Sequence, residues 1–361
     1  MDSHATAATA PSRASLAVPP RFTGRIQSLD GLRAISILLV LVGHLEGTRH
    51  FAPRFSEWFG DYANLGVRVF FVISGFLISR LLIDEYATTQ TISLYNFYAR
   101  RTLRIFPAFF AYIGVIAAAT ILGFLYVKGA DFGYALTYTM NYHPERGWYL
   151  GHLWSLSVEE QFYLLWPFAF VALGPARAMK AAAVVLALGP VSRLLVRILL
   201  QHTPYREAEI FPVVADSLAA GCLLAGFRDR LWTWPVYNRM LRSRLLLVVL
   251  PVFLLGINTL RGRTVVWILG DTLLNIAIAV MIDRFVSFPH DMAGRLMNVA
   301  PLAWIGVLSY SLYLWQQPFL NRASDAWFTA FPLNIFFAGM CACASYYLLE
   351  RPLVRLRQRF R

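Results

Sequence analysis

The sequence predicts an all-α protein, a polytopic bundle of about ten transmembrane helices with both termini on the cytoplasmic side. Three observations carry that prediction. The composition is 58% hydrophobic and only 15% charged, against roughly 45–50% and 25% in soluble domains. Apolar runs recur through the chain, near 28–47, 66–83, 105–127, 153–173, 179–199, 210–227, 245–260, 264–283, 300–318 and 330–349, most of them long enough for a bilayer. Of the 33 Lys and Arg residues, 21 fall in segments that are cytoplasmic if the N-terminus is, and only 8 in the loops between them. That asymmetry follows the positive-inside rule. It also accounts for the net charge of +13 without nucleic acid, whose binding would gather the basic residues on one soluble face.

The chain divides into three parts. Residues 1–24, rich in Ala, Ser, Thr and Pro, are expected to be a disordered cytoplasmic tail. Residues 25–350 form the membrane domain, and 351–361 a basic cytoplasmic tail suited to anionic lipid. The three cysteines, Cys222, Cys341 and Cys343, lie in apolar spans and read as packing residues. There is no metal-ligand cluster and no glycine-rich phosphate loop, so a bound phosphate must be held by arginine.

The first span, SLDGLRAISILLVLVGHLEG, carries two polar groups that hydrocarbon disfavours, Arg33 and His44. They are eleven positions apart, which at ~100° per residue puts both on one helix face, about 16 Å apart along the axis. A snorkelling arginine and a histidine bonded to a neighbouring helix would account for each alone. The pair points to a site. In the second span the Ser74-Gly75 step suits close backbone approach, and Arg68, at the outer edge, reads as an anchor. The segment YNFYARRTLRIFPAFF leads into the third span with Arg100, Arg101 and Arg104. Arg101 and Arg104 share a helix face, and the guanidinium fork suits phosphate, although the group also serves as a topology signal.

The fourth span, HLWSLSVEEQFYLLWPFAF, contains adjacent glutamates, Glu159 and Glu160, with Tyr163 within a helical turn. One carboxylate pairs with a buried arginine or supports an imidazole in acid–base work. Asp216, in FPVVADSLAAGCLLAG, is either a functional group or the partner of a buried arginine. Tyr310, Tyr313 and Gln316 fall on one face of a late span.

Four of these segments, SLDGLRAISILLVLVGH, GVRVFFVISGFLI, FYARRTLRIFP and HLWSLSVEEQFYLLWP, together resemble the acyltransferase family 3 membrane proteins, which O-acylate glycans and related molecules. The Arg33 to His44 spacing is similar to that family's Arg, ten residues, His signature. The segment around Gln316 departs from it, because relatives commonly carry histidine there. The resemblance implies acetyl-CoA or another short acyl-CoA as co-substrate, with its phosphates on Arg101 and Arg104, joined by Arg100 and Arg33. It implies His44 as the base or the acyl carrier, with Glu159 or Glu160 supporting it. The implied acceptor is a surface or lipid-linked glycan, at the cytoplasmic (inner) membrane. Because the sequence ends at residue 361, soon after the last span, the membrane domain is expected to acylate the acceptor directly or to hand over to a separate protein. The rival expectation is a proton-coupled transporter of a polar or anionic solute, with His44, Glu159 and Asp216 as relay.

Overall fold

The computed structural model describes residues 26–200 and 207–356, so the expectations for residues 1–25 and for 357–361 of the basic tail lie outside the described residues. The described residues are helical, with no strand among them. The longer helices are α1 (Gln27–Leu45), α2 (Tyr62–Thr89), α3 (Leu94–Ile121), α4 (Leu153–Leu200), α5 (Phe211–Thr233), α6 (Leu246–Leu260), α7 (Asp271–Ser287), α8 (Ala300–Trp315) and α9 (Leu333–Ser345).

Local chemistry sets their ends. Asp61 caps α2 by accepting from Asn64 N at 3.0 Å, and Ser93 caps α3 by accepting from Asn96 N at 3.3 Å. Gln90 closes α2 in the left-handed conformation, its N–H bonding Tyr86 O. Inside α4, Gly174 takes φ 73°, outside helical space, and Pro175 follows it, so this 48-residue helix is two segments joined by a break. A bend of 90° separates the short helix Pro235–Arg242 from α6.

Among the described residues seven helices are long and apolar enough to cross a bilayer, or eight if that bent pair is one span. Ten is reached only by dividing α4 at Gly174 and adding α8, which has 16 residues. The third helix starts earlier than its apolar run, at Leu94, so Arg100, Arg101 and Arg104 lie within it and not before it.

Helix α1 packs between α2 and α8, and α5 packs against both α2 and α4. Gly75 and Gly221 make the α2–α5 contact possible, since a Cβ on Gly75 would run into Leu218 O and one on Gly221 into Val72 O. The close approach expected at Ser74-Gly75 is therefore made by the glycine.

A second interface is ionic. Arg68 is buried at 2% exposure and pairs with Asp271, which also accepts from Arg261 Nε at 2.9 Å. It is not an anchor at the membrane edge, because a buried acid on α7 faces it. Arg193 is 0% exposed and pairs with Asp216, whose carboxylate also accepts from Thr272 Oγ1 at 2.7 Å. Arg193 Nε lies 3.9 Å from Asp271, joining the two pairs into one network across α2, α4, α5 and α7. Asp271→Ala would leave Arg68 and Arg261 without this carboxylate, at a cost of about 3–5 kcal/mol. The expected result is a large fall in the detergent-solubilised melting temperature, and an unchanged melting curve would refute the assignment.

Candidate active site

Two cavities lie end to end along the face of α1 that carries Arg33 and His44. The inner one, of about 80 Å³, is lined by Arg33, Arg101, Arg104, Ser74, Glu159, Tyr163, Ser155 and Tyr310 among others. The outer one, of about 300 Å³, is lined by His44, Asp61, Asn64, Arg146, Trp148, His152, Glu209 and Gln317 among others. Val67 and Tyr313 line both. Arg33 opens into one cavity and His44 into the other, with Val40 on the same face between them.

Three guanidinium groups against one carboxylate make the inner cavity formally cationic. Arg101 and Arg104 come together there because they are three apart on α3. Arg101 stacks on Tyr163, its Cζ 3.4 Å from the ring centroid, and its buried Nε has no hydrogen-bond partner among the described residues. Arg33 keeps an ion pair of 3.7 Å with Asp30. Arg100 does not line this cavity; one residue round the helix from Arg101, it pairs with Glu85 at 3.3 Å. Ser74 Oγ donates to Glu159 Oε1 at 2.7 Å and accepts from Tyr163 OH at 3.0 Å.

In the outer cavity, His44 Nδ1 lies 3.0 Å from Gln316 Oε1. With the carboxamide in this orientation Nδ1–H donates to Oε1, and Nε2 keeps its lone pair. Gln316 is 0% exposed, and its Nε2 has no hydrogen-bond partner among the described residues. Trp148 sits edge-on to the imidazole, ring centroids 5.7 Å apart, and its Nε1 donates to Gln317 O at 2.7 Å. Arg146 and Glu209 form an ion pair on the wall. Beyond the end of α1, Glu46 accepts from Ser56 N at 2.8 Å and from Tyr62 OH. Burial raises its carboxyl, but these hydrogen bonds outweigh that and hold it below the usual carboxylate range.

The pairing of Glu159 with His44 expected from the sequence is not the arrangement found. Helix α4 begins at Leu153, and Glu159, six residues on, is about 9 Å further along the axis. Its carboxylate reaches Ser74, and Gln316 takes the place beside His44. Glu160 lines neither cavity, and neither does Asp216, which serves Arg193. Tyr163 and Tyr313 do line the site. Trp148, His152, Arg146, Glu209 and Gln317 were not anticipated. His152 opens the fourth-span motif and could have been singled out there, whereas Arg146 and Glu209 are 63 positions apart and leave no local pattern. Among the described residues no cluster of three or more His, Cys, Asp or Glu is suited to a metal ion.

Residues 26–350 match the family model described as an acyltransferase domain, family 3. The chain belongs to that acyltransferase family. Its similar curated proteins include the peptidoglycan O-acetyltransferase OatA of Listeria monocytogenes, 28% identical over 356 residues that cover 90% of this chain and 54% of the relative. The O-acetyltransferase OatA of Staphylococcus aureus is 28% identical over 92% of this chain and 57% of its own. The putative peptidoglycan O-acetyltransferase YrhL of Bacillus subtilis is 27% identical over 91% and 55%. The chain thus spans a little over half the length of these acyltransferase relatives. No solved structure matches.

Proposed function

We propose that this chain is the membrane unit of an O-acyltransferase, moving a short acyl group, in the simplest case acetyl, from cytoplasmic acyl-CoA to a hydroxyl of a cell-surface or lipid-linked glycan. The observation that supports this best is the adjacency of the two cavities, whose linings share Val67 and Tyr313. A cationic inner cavity suits the phosphates of the donor, and it abuts, across Val67 and Tyr313, an outer cavity that holds an oriented imidazole. The relatives' names favour a peptidoglycan-type glycan as acceptor, and the basic bias of the expected cytoplasmic segments favours the inner cavity facing the cytoplasm in the cytoplasmic membrane.

In this reading His44 Nε2 carries the chemistry, since Nδ1 is engaged by Gln316. In direct transfer it takes the proton of the acceptor hydroxyl as that oxygen attacks the thioester carbonyl. The C–S bond breaks, the C–O bond forms, and the proton passes to the departing thiolate. In the carrier route Nε2 itself attacks the thioester and the thiolate leaves. The acceptor hydroxyl then displaces the acyl group, and its proton restores the thiol. Gln316 fixes the ring in either case as a positioning residue. Gln316→Ala is expected to lower kcat by about 10–100-fold with the KM for acyl-CoA unchanged, since Gln316 touches His44 and not the arginines. A raised KM would assign it to the donor site instead.

The deciding experiment is release of free thiol from acetyl-CoA by the purified protein in nanodiscs, with soluble peptidoglycan fragments as acceptor. Release that disappears in His44→Ala supports the reading. Absence of release together with absence of CoA binding would overturn it in favour of a transporter, which consumes no thioester.

A further inference from the structure

We propose that Val67 and Tyr313 form a fixed gate between the two cavities that limits the length of the acyl group passed to His44, admitting two carbons and holding back longer chains. The inference rests on the acyl-transfer reading above. Val67 and Tyr313 are the two residues common to both linings, so they mark the boundary that an acyl group carried from the arginines to His44 has to cross.

Both sides of the gate are rigid. Tyr313 is 6% exposed, and its hydroxyl lies 2.6 Å from both His152 O, to which it donates, and Ser155 Oγ, so the ring is tied at its far end to the start of α4. Val67, also 6% exposed, is β-branched and has little freedom at χ1 on a helix. A passage between a stiff side chain and a tethered ring cannot widen at small cost, because packed interiors accept an added methylene poorly. The unequal cavities agree with this filter: about 80 Å³ on the arginine side against about 300 Å³ around His44. The arginine side is the tighter of the two and the His44 side the roomier. If the two residues served only as packing, their size would affect stability without changing which acyl-CoA is used.

The test uses acetyl-, propanoyl- and butanoyl-CoA with the full chain in nanodiscs, reading His44-dependent thiol release beside equilibrium binding of CoA. Val67→Ala is expected to raise the ratio of kcat/KM for butanoyl- over acetyl-CoA by about tenfold or more. Val67→Phe is expected to cut acetyl transfer at least about tenfold, read as kcat at saturating acetyl-CoA with CoA binding still measurable. The two variants act in opposite directions, and retained CoA binding reports that each is folded. An unaltered chain-length profile in Val67→Ala, or wild-type acetyl transfer in Val67→Phe, overturns the gate. Lack of any His44-dependent release from the wild type overturns the acyl-transfer reading, and the gate with it.

Discussion

Replacement of His44 by alanine is expected to lower acyl transfer by about a thousandfold or more, within the range for loss of a positioned base or nucleophile. The effect should fall on kcat with the KM for acyl-CoA little changed, because His44 lines the outer cavity and the arginines the inner one. Insertion should be intact. His44 is partly buried, and its hydrogen-bond partner among the described residues is Gln316, so an alanine there strands one amide and no charge. Expression, detergent extraction and a monodisperse elution profile check that point. A fully active His44→Ala protein would remove the imidazole from the chemistry.

The double substitution Arg101→Ala with Arg104→Ala is expected to act on the other parameter. Hydrogen bonds to charged groups are worth about 1.5–3 kcal/mol each, so loss of one contact to phosphate raises the KM for acyl-CoA by roughly 10–100-fold and loss of both by more. Arg101 gives the cleaner single test, because its stack on Tyr163 leaves a buried Nε without a described partner. Arg100→Ala is the matched control. It removes a charge one position away but an ion pair with Glu85 instead of a cavity lining, so its KM should stay near that of the wild type. A measurement of acyl-CoA dependence in the three proteins, at one ionic strength, decides whether the cavity or the local charge matters.

Much of this was legible in the sequence, because its signals are local. Helical periodicity put Arg33 and His44 on one face and Arg101 beside Arg104, and the structure has both arrangements. Tyr313 and Gln316, three apart, fall as the spacing expects, one on the cavities and one on the imidazole. What failed was distance along the helix axis. Glu159 was matched to His44 by chemical suitability, yet nothing local in the sequence fixes the depth at which α4 packs against α1, and the carboxylate lies with Ser74. Arg68 was misread for a related reason: its partner Asp271 is 203 residues away, and an isolated arginine near a span end resembles an anchor until that partner is known. The outer wall, with Arg146 on Glu209, is built from loops whose meeting no periodicity encodes.

The ionic network among α2, α4, α5 and α7 also bears on how the chain enters the bilayer. In order of synthesis its charges are Arg68, Arg193, Asp216, Arg261 and Asp271. Two cations therefore leave the ribosome before the first acid, and the carboxylate that faces Arg68 is the last of the five to appear. A lone guanidinium in hydrocarbon is costly, so α2 by itself favours a depth at which Arg68 reaches the bilayer edge. Burial of Arg68 at its final position is favoured once Asp271 on α7 is there to pair with it. The final packing of α2 is thus tied to a helix about 200 residues further along the chain, whose acid neutralises Arg68.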